Sequence, residues 1–160
     1  MKLNDTLEQA FNEQITLELA ASSVYRQLAI ELDLLDLTGM ASWMRRQSAE
    51  EIEHAEKFIA HLDARDNQAQ IGVIDKPEVK ITSAVEAFEI ALEHEREVSK
   101  SIRALRKLCD EEGDVDSRPL LDDFLTEQIS EEDTVRTIIG RLRIVGNDGS
   151  GILRVDDELA

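Results

Sequence analysis

Four stretches of about 30 residues carry apolar side chains at intervals of three and four residues, and this periodicity constrains the fold more than any other feature. The spacing places the apolar side chains on one face of an α-helix. Only seven glycines and two prolines occur in 160 residues, so few positions interrupt a helix. We therefore predict an all-α protein with a single domain over residues 1–160.

The periodic stretches predict four long helices. They run from about Asp5 to Asp36, from Thr38 to Asp66, from just after Ser83 to near Gly113, and from near Ser117 to Gly146. Thr6 with Gln9, and Ser83 with Glu86, have the spacing of capping boxes. Residues 147–151 are predicted to form a loop, and residues 152–159 a short terminal helix.

The connection between the second and third helices is long, and it contains Gly72 and Pro77. Fully extended, its roughly 15 residues reach about 50 Å. A 30-residue helix is about 45 Å long, so the connection can run the full length of a bundle. The other two links are short and favour antiparallel neighbours. The expected topology is two antiparallel hairpins joined by one long crossover.

Each apolar face is interrupted near its middle by polar side chains. The interruptions include Glu18 in the first helix, Glu51 and His54 in the second, Glu95 in the third, and Gln128 and Glu131 in the fourth. Because most of them lie about a dozen residues inside their helices, they are expected to meet at one level of the core. Burial of unpaired carboxylates is costly, and no lysine or arginine lies on these faces.

A bound metal ion would compensate these buried acids. Carboxylates with one imidazole suit iron or manganese, and zinc less specifically. Glu51 and His54 are three residues apart, so both side chains lie on one helical face. A single Glu-x-x-His motif often arises by chance, but interruptions in four helices at one depth favour a metal site. Tyr25 lies on the face of Glu18, where it either packs in the core or donates a hydrogen bond to a ligand.

The charge balance is strongly acidic, with 35 Asp and Glu against 18 Lys and Arg and a net charge of −17. It argues against nucleic acid as a partner and is compatible with cations, or simply with a self-repelling acidic surface. No apolar run approaches the roughly 20 residues of a membrane span. The polar start, Met1 to Asp5, has no signal core, so a cytoplasmic location is expected.

The motifs together resemble the ferroxidase signature of the ferritins. The matching residues are Glu18 with Tyr25, Glu51-Ile52-Glu53-His54, His94-Glu95, and Glu127-Gln128-Ile129-Ser130-Glu131. The resemblance covers essentially the whole chain, including the crossover and the short tail. Bacterioferritins carry a second Glu-x-x-His on the fourth helix and a haem-binding methionine after the second-helix glutamate. The chain has Glu131 and Ile52 there, so it is most similar to a non-haem bacterial ferritin.

The resemblance implies roles for individual residues. Glu18, Glu51 and His54 would bind a first iron. Glu51 would bridge to a second iron, which Glu95 would also bind, with Gln128 close by. Tyr25 would lie beside the centre, in a position to take part in redox chemistry.

A third iron site is implied as well. Glu50, Glu127 and Glu131 match its positions in bacterial ferritins. Ser130 stands where some members have another glutamate, which favours a weaker third site in this chain.

The implied function is iron storage with ferroxidase activity. Fe(II) would be oxidised by O2 or peroxide and deposited as mineral inside a cage of twenty-four identical subunits. Two alternatives stay open from the residues alone. One is a di-metal oxidoreductase that stores no iron, such as a peroxide-consuming enzyme in a small oligomer. The other is a helical interaction module without metal.

Overall fold

The computed structural model describes all 160 residues and contains five α-helices and no strands. The helices are α1 (Asp5–Asp33), α2 (Thr38–Ala64), α3 (Ala84–Glu111), α4 (Arg118–Val145) and α5 (Gly149–Leu159). The predicted all-α architecture of four long helices and one short terminal helix is confirmed. None of the helices has both the length and the apolar composition needed to cross a bilayer.

The capping residue of α1 differs from the prediction. The side chain of Asn4 accepts a hydrogen bond from the backbone N–H of Leu7 at 2.9 Å, so Asn4 is the N-cap. Thr6 lies inside the first turn, and the capping box predicted for Thr6 and Gln9 is wrong. An Asn side chain satisfies an unpaired N–H of the first turn as well as a hydroxyl does, so either residue type can occupy this position.

The predicted cap of α3 is correct at Ser83, whose hydroxyl accepts from the backbone N–H of Glu86. The Glu86 carboxylate in turn accepts the backbone N–H of Thr82, at 2.6 Å. The Glu86 carboxylate therefore binds the backbone N–H of the residue before the N-cap, whereas in a capping box it would bind the N–H of the N-cap itself.

Two helices end earlier than predicted because an aspartate adopts the left-handed conformation. Asp36 has φ 58° and Asp66 has φ 57°. In each case the next residue donates to a carbonyl five positions back: Leu37 to Leu32 at 3.0 Å and Asn67 to Leu62 at 2.9 Å. This is the Schellman pattern that usually employs glycine.

One consequence is that the last predicted apolar positions of the first helix lie outside it. Leu35, which lies within the helix predicted to run to Asp36, follows the end of α1 and is 37% exposed. The terminal helix shows the opposite error, because α5 begins at Gly149 rather than at Ile152. The Asp148 side chain caps it by accepting from the backbone N–H of Gly151.

The four long helices form two antiparallel hairpins. Asp33 at the end of α1 pairs with Arg45 near the start of α2, and Leu3 bonds to Asn67 at the opposite end. The crossover after α2 runs beside α1. Asn12 accepts from the backbone of Gln70 at 2.7 Å, and Thr16 accepts from that of Gly72 at 2.8 Å. The predicted crossover topology is therefore confirmed.

Helix α5 is fastened to the start of α2 by a buried carboxylate. Asp156 accepts the backbone N–H groups of Gly39 at 3.1 Å and Met40 at 2.7 Å. The residue before α2, Leu37, offers no side-chain cap, so Asp156 supplies the missing acceptor from the other end of the chain. A side chain at Gly39 would place its Cβ only 2.0 Å from the carbonyl oxygen of Asp156.

The apolar core is divided into two clusters along the bundle. One contains 20 buried residues, including Tyr25, Trp43 and Phe88; the other contains 13, including Phe11 and Phe58. The two clusters are not joined because polar side chains from all four long helices occupy the level between them. This polar layer contains every residue predicted to bind the two irons.

The close contact at Gly39 gives a testable prediction. Gly39→Ala is expected to destabilise the protein by about 2 kcal/mol, because the added methyl group must push apart two backbone segments. Thermal or urea unfolding measures the change.

Gly140→Ala is the matched control, since a Cβ at that position in α4 would meet no atom within 4 Å beyond its chain neighbours and the helix's own backbone. Alanine is the better helix former, so this variant should gain about 0.5–1 kcal/mol. Equal effects of the two variants would contradict the proposed packing of α5 on α2.

Candidate metal centre

Five polar side chains of the central layer are almost completely buried. Each of the four long helices contributes at least one of them: Glu18, Glu51, His54, Glu95 and Gln128. All five are at most 5% exposed. The structure thus buries the interrupting residues other than Glu131, as their mid-helix depths predicted.

Glu18, Glu51 and His54 form an inner cluster. One ligand atom from each lies within 4.8 Å of the others. His54 Nδ1 is 3.2 Å from Glu51 Oε2, a contact that the three-residue spacing on α2 makes possible. Gln14 donates to Glu18 Oε1 at 2.7 Å, whereas Glu18 Oε2 has no hydrogen-bond partner although it is buried.

Glu95 lies next to this cluster but is held by neutral donors. The Tyr25 hydroxyl donates to Glu95 Oε1. Gln128 donates to Glu95 Oε2 at 2.9 Å and is itself 3.3 Å from the Ser99 hydroxyl. Tyr25 and Gln128 therefore fix the orientation of a carboxylate whose field reaches Glu51.

A second, outer cluster consists of Glu50, His54 and Glu127, again with ligand atoms within 4.8 Å of one another. His54 Nε2 is 3.5 Å from Glu127 Oε1. Glu131 falls outside both clusters. It is half-buried, and its pKa is raised to about 7, first by burial and then by the negative charge of Glu50.

Glu18 and Glu51 are expected to hold protons when no metal is bound. Burial raises the pKa of Glu18 well above its usual range, and the nearby Glu51 carboxylate adds to the shift. Burial, followed by repulsion from Glu95, raises the pKa of Glu51 to about 8. None of the buried residues is a lysine or arginine, so no permanently charged protein cation balances these acids.

Gln14 and Lys57 also contact residues of the site, although neither was predicted to be part of it. Gln14 lies one turn before Glu18 on the same face, so its helical spacing could have indicated the contact. Lys57 is on the outer side of α2, where its Nζ is 3.5 Å from Glu127 Oε2. Lys57 follows His54 by three residues, and this spacing could have indicated that both side chains lie on the same side of α2.

Chemically, the layer offers several carboxylate oxygens and one imidazole in a water-poor core. Such a set of ligands suits hard and borderline divalent cations, iron and manganese above all, and it gains further from a trivalent ion. Two of the four unpartnered buried side-chain atoms, Glu18 Oε2 and His54 Nε2, belong to the layer, and a cation bound there would supply their missing partner. The arrangement is compatible with a pair of metal ions.

Comparison with known proteins identifies relatives along almost the whole chain. The ferritin family model, described as a ferritin-like domain, matches residues 8–145. A bacterial non-heme ferritin from Bacteroides fragilis is 32% identical over 157 residues, which cover 98% of each chain. A bacterial non-heme ferritin from Escherichia coli is 27% identical over 158 residues, or 99% of this chain and 96% of the relative.

Solved structures agree with these relatives. An open pore ferritin from the hyperthermophilic archaeon Archaeoglobus fulgidus superposes with a TM-score of 0.97 at 30% identity, covering 99% of this chain and 98% of that one. A form of the same ferritin that was engineered to be closed gives a TM-score of 0.96 at 30% identity, covering 99% and 96%. The predicted fold and the resemblance drawn from the motifs are confirmed.

The raised pKa of Glu51 predicts how the metal-free protein responds to pH. Between pH about 4.5 and about 8 the folded chain keeps a proton that the unfolded chain has lost, so stability falls as pH rises through this window. Glu51→Gln removes the ionisable group and should stabilise the metal-free protein at pH 8 by about 2 kcal/mol. The gain should shrink towards pH 5.

Urea unfolding of chelator-treated protein at both pH values provides the measurement. Glu53→Gln, two residues further along α2 and exposed, is the control and should change stability little at either pH. A Glu51→Gln variant that is less stable than the wild type at pH 8 would mean that the Glu51 carboxylate is well solvated or paired.

Proposed function

The chain belongs to the ferritin family, and on that premise we propose that each subunit oxidises Fe(II) at its buried carboxylate layer and that the assembled protein stores the Fe(III) product. The observation that carries this proposal is the burial of Glu18, Glu51 and Glu95 without any buried lysine or arginine. Iron ions are the cations that this set of ligands accommodates and that the family name implies.

In this proposal Glu18, Glu51 and His54 bind one Fe(II), and their ligand atoms are already close together. Glu51 bridges to a second Fe(II) that Glu95 also binds. Gln128 keeps the Glu95 carboxylate turned into the layer through its 2.9 Å hydrogen bond. Arrival of the cations displaces the protons that Glu18 and Glu51 hold in the metal-free state, so loading releases protons.

Oxidation follows from the preference of carboxylate oxygens for the more highly charged ion. Each Fe(II) gives one electron to O2 or to peroxide, and the anionic ligands stabilise the Fe(III) that results. Tyr25 donates to Glu95, and its raised pKa keeps the hydroxyl protonated. It therefore orients a ligand and stands where it can take part in electron transfer.

The third iron site remains part of the proposal, with Glu50, Glu127 and Glu131 as its ligands. Its support is electrostatic, because the charges of Glu50 and Glu127 both raise the pKa of Glu131. Ser130 is exposed and offers no carboxylate, which favours weak and transient occupancy. The proposal includes no haem, because the residue after Glu51 is Ile52, half-exposed on α2, where a bacterioferritin has its haem-binding methionine.

We also propose assembly into a twenty-four-subunit cage and a cytoplasmic location. Exposed apolar side chains on the crossover support contacts with other copies of the chain: Ile71, Val73 and Ile74. The similarity to archaeal and bacterial ferritins over nearly full chains supports the same assembly. The alternative, a non-storing di-metal oxidoreductase, would use the same layer but would bind only the ions at its site.

Fe(II) oxidation tests the site. The double variant Glu51→Ala with His54→Ala removes a carboxylate and the only buried imidazole, so the oxidation rate should fall at least tenfold, towards the rate without protein. The measurement is Fe(III) absorbance after mixing with aerated buffer.

Glu53→Ala with Glu56→Ala removes two exposed carboxylates of α2 and should oxidise Fe(II) at close to the wild-type rate. If the Glu51 and His54 double variant oxidised iron as fast as the wild type, the assignment of the site would be wrong.

Iron retention tests storage. Wild-type protein loaded with a large excess of Fe(II) in air should elute from size-exclusion chromatography as a particle far larger than a dimer, with much more iron than two or three ions per chain. Elution as a small oligomer with only a few bound ions per chain would instead support the non-storing oxidoreductase.

A further inference from the structure

We propose that Glu132 is a positioning residue for the buried layer. It accepts the hydroxyl proton of Ser99, and this bond holds the Gln128 amide in one orientation. In that orientation the NH2 group of Gln128 faces Glu95. The inference rests on the proposed function, because it concerns how a ligand of the second iron is kept in place.

The four residues form two pairs that face each other across the hairpin of α3 and α4. Glu95 and Ser99 are four residues apart on α3. Gln128 and Glu132 have the same spacing on α4, so the members of each pair lie one turn apart on one helical face. Glu95, Ser99 and Gln128 are at most 2% exposed, whereas the side chain of Glu132 is 16% exposed. Glu132 is therefore the member that joins this buried group to the surface.

The NH2 group of Gln128 is surrounded by acceptors. Its Nε2 is 2.9 Å from Glu95 Oε2, 3.2 Å from the backbone carbonyl oxygen of Glu95 and 3.3 Å from Ser99 Oγ. A primary amide carries hydrogens only on its nitrogen, so a half-turn of the amide would place its oxygen against the same three acceptors. The carboxylate and carbonyl of Glu95 have no hydrogen to offer that oxygen. Only Ser99 could change from acceptor to donor.

Glu132 prevents this change. The Ser99 hydroxyl donates its single proton to Glu132 Oε1 at 2.7 Å, so only its lone pairs are left for Gln128. In a helix, a serine hydroxyl can instead donate to the carbonyl four residues back, which for Ser99 is that of Glu95. Because Glu132 takes the proton, this carbonyl stays free to accept from Gln128.

Loss of the Glu132 carboxylate would free the Ser99 proton. The hydroxyl could then donate to the amide oxygen of Gln128 or compete for the carbonyl of Glu95. Either change draws the NH2 group of Gln128 away from the Glu95 carboxylate, which is left with the Tyr25 hydroxyl as its donor. A carboxylate that is held less firmly binds a cation less tightly, since residues that orient metal ligands commonly contribute about tenfold or more to affinity.

Diffraction at the cobalt absorption edge, from crystals soaked in graded concentrations of Co(II), tests the proposal. The ion bound at Glu18 and His54 serves as an internal reference for the ion between Glu51 and Glu95. In Glu132→Ala, the Co(II) concentration that half-fills the second position should rise about fivefold to tenfold relative to the reference ion.

The double variant Glu132→Ala with Ser99→Ala distinguishes control of the hydroxyl from a general effect. Without the hydroxyl no free proton competes, and both hydrogens of Gln128 Nε2 still have acceptors in Glu95. Ser99→Ala alone and the double variant should therefore both bind the second Co(II) within about twofold of the wild type. A role of Glu132 in charge or folding would not be reversed by Ser99→Ala.

Asp133→Ala is the matched control. Asp133 is the next residue of α4, its side chain is 73% exposed, and it pairs with Arg136, which also lies 3.7 Å from Glu132. The variant removes the same charge without affecting Ser99, so the second ion should bind as in the wild type. Equal losses in Glu132→Ala and Asp133→Ala would overturn the role of Glu132, and so would a double variant as weak as Glu132→Ala.

Metal-free crystals of Glu132→Ala give a measurement that depends on no ion. The 2.9 Å contact between Gln128 Nε2 and the Glu95 carboxylate should open, and the double variant should restore it. A contact that stays closed in Glu132→Ala would overturn the positioning role, whatever the wild type does with iron. An opened contact in Glu132→Ala, together with a wild type that does not oxidise Fe(II), would overturn the ferroxidase proposal and leave the positioning role standing.

Discussion

Burial of several carboxylates at one level of a helical bundle, without a buried lysine or arginine, is the constraint on which the rest of this protein depends. Each ionised acid in such a core is costly unless a proton or a cation compensates it. The raised pKa values of Glu18 and Glu51 show the first solution, in which the metal-free core holds protons. Bound iron is the second way to compensate the carboxylate charge, and binding at the proposed site then exchanges protons for metal ions.

The remainder of the fold keeps this layer in place. Two apolar clusters, one on each side, supply the hydrophobic stabilisation that offsets the polar level between them. Neutral donors then fix the acids: Gln14 holds Glu18, while Tyr25 and Gln128 hold Glu95. Because these donors carry no charge, they orient the carboxylates without neutralising them, so the acids stay available to a cation.

The sequence predicted the four helices and the depth of the polar layer, because helical periodicity and mid-helix position are local properties. The ends of the helices were harder to predict. Asp36 and Asp66 adopt the left-handed conformation, which is usually expected only at glycine. The start of α5 at Gly149 depends on capping by the Asp148 side chain. The residues of the outer cluster, Glu50, His54 and Glu127, were each named from the sequence, but Glu131 was expected in the place that His54 takes. Whether Glu131 or His54 completes it, and whether Lys57 reaches Glu127, depends on side-chain rotamers between helices, which spacing alone does not determine.

The most direct test of the central claim is diffraction at the iron absorption edge from crystals loaded with Fe(II) without oxygen. The account predicts anomalous density in the middle of the bundle, within bonding distance of Glu18, Glu51 and His54, with a second ion between Glu51 and Glu95. Iron bound only by exposed acids, with the carboxylates of Glu18 and Glu51 still free of metal at saturating Fe(II), would contradict it.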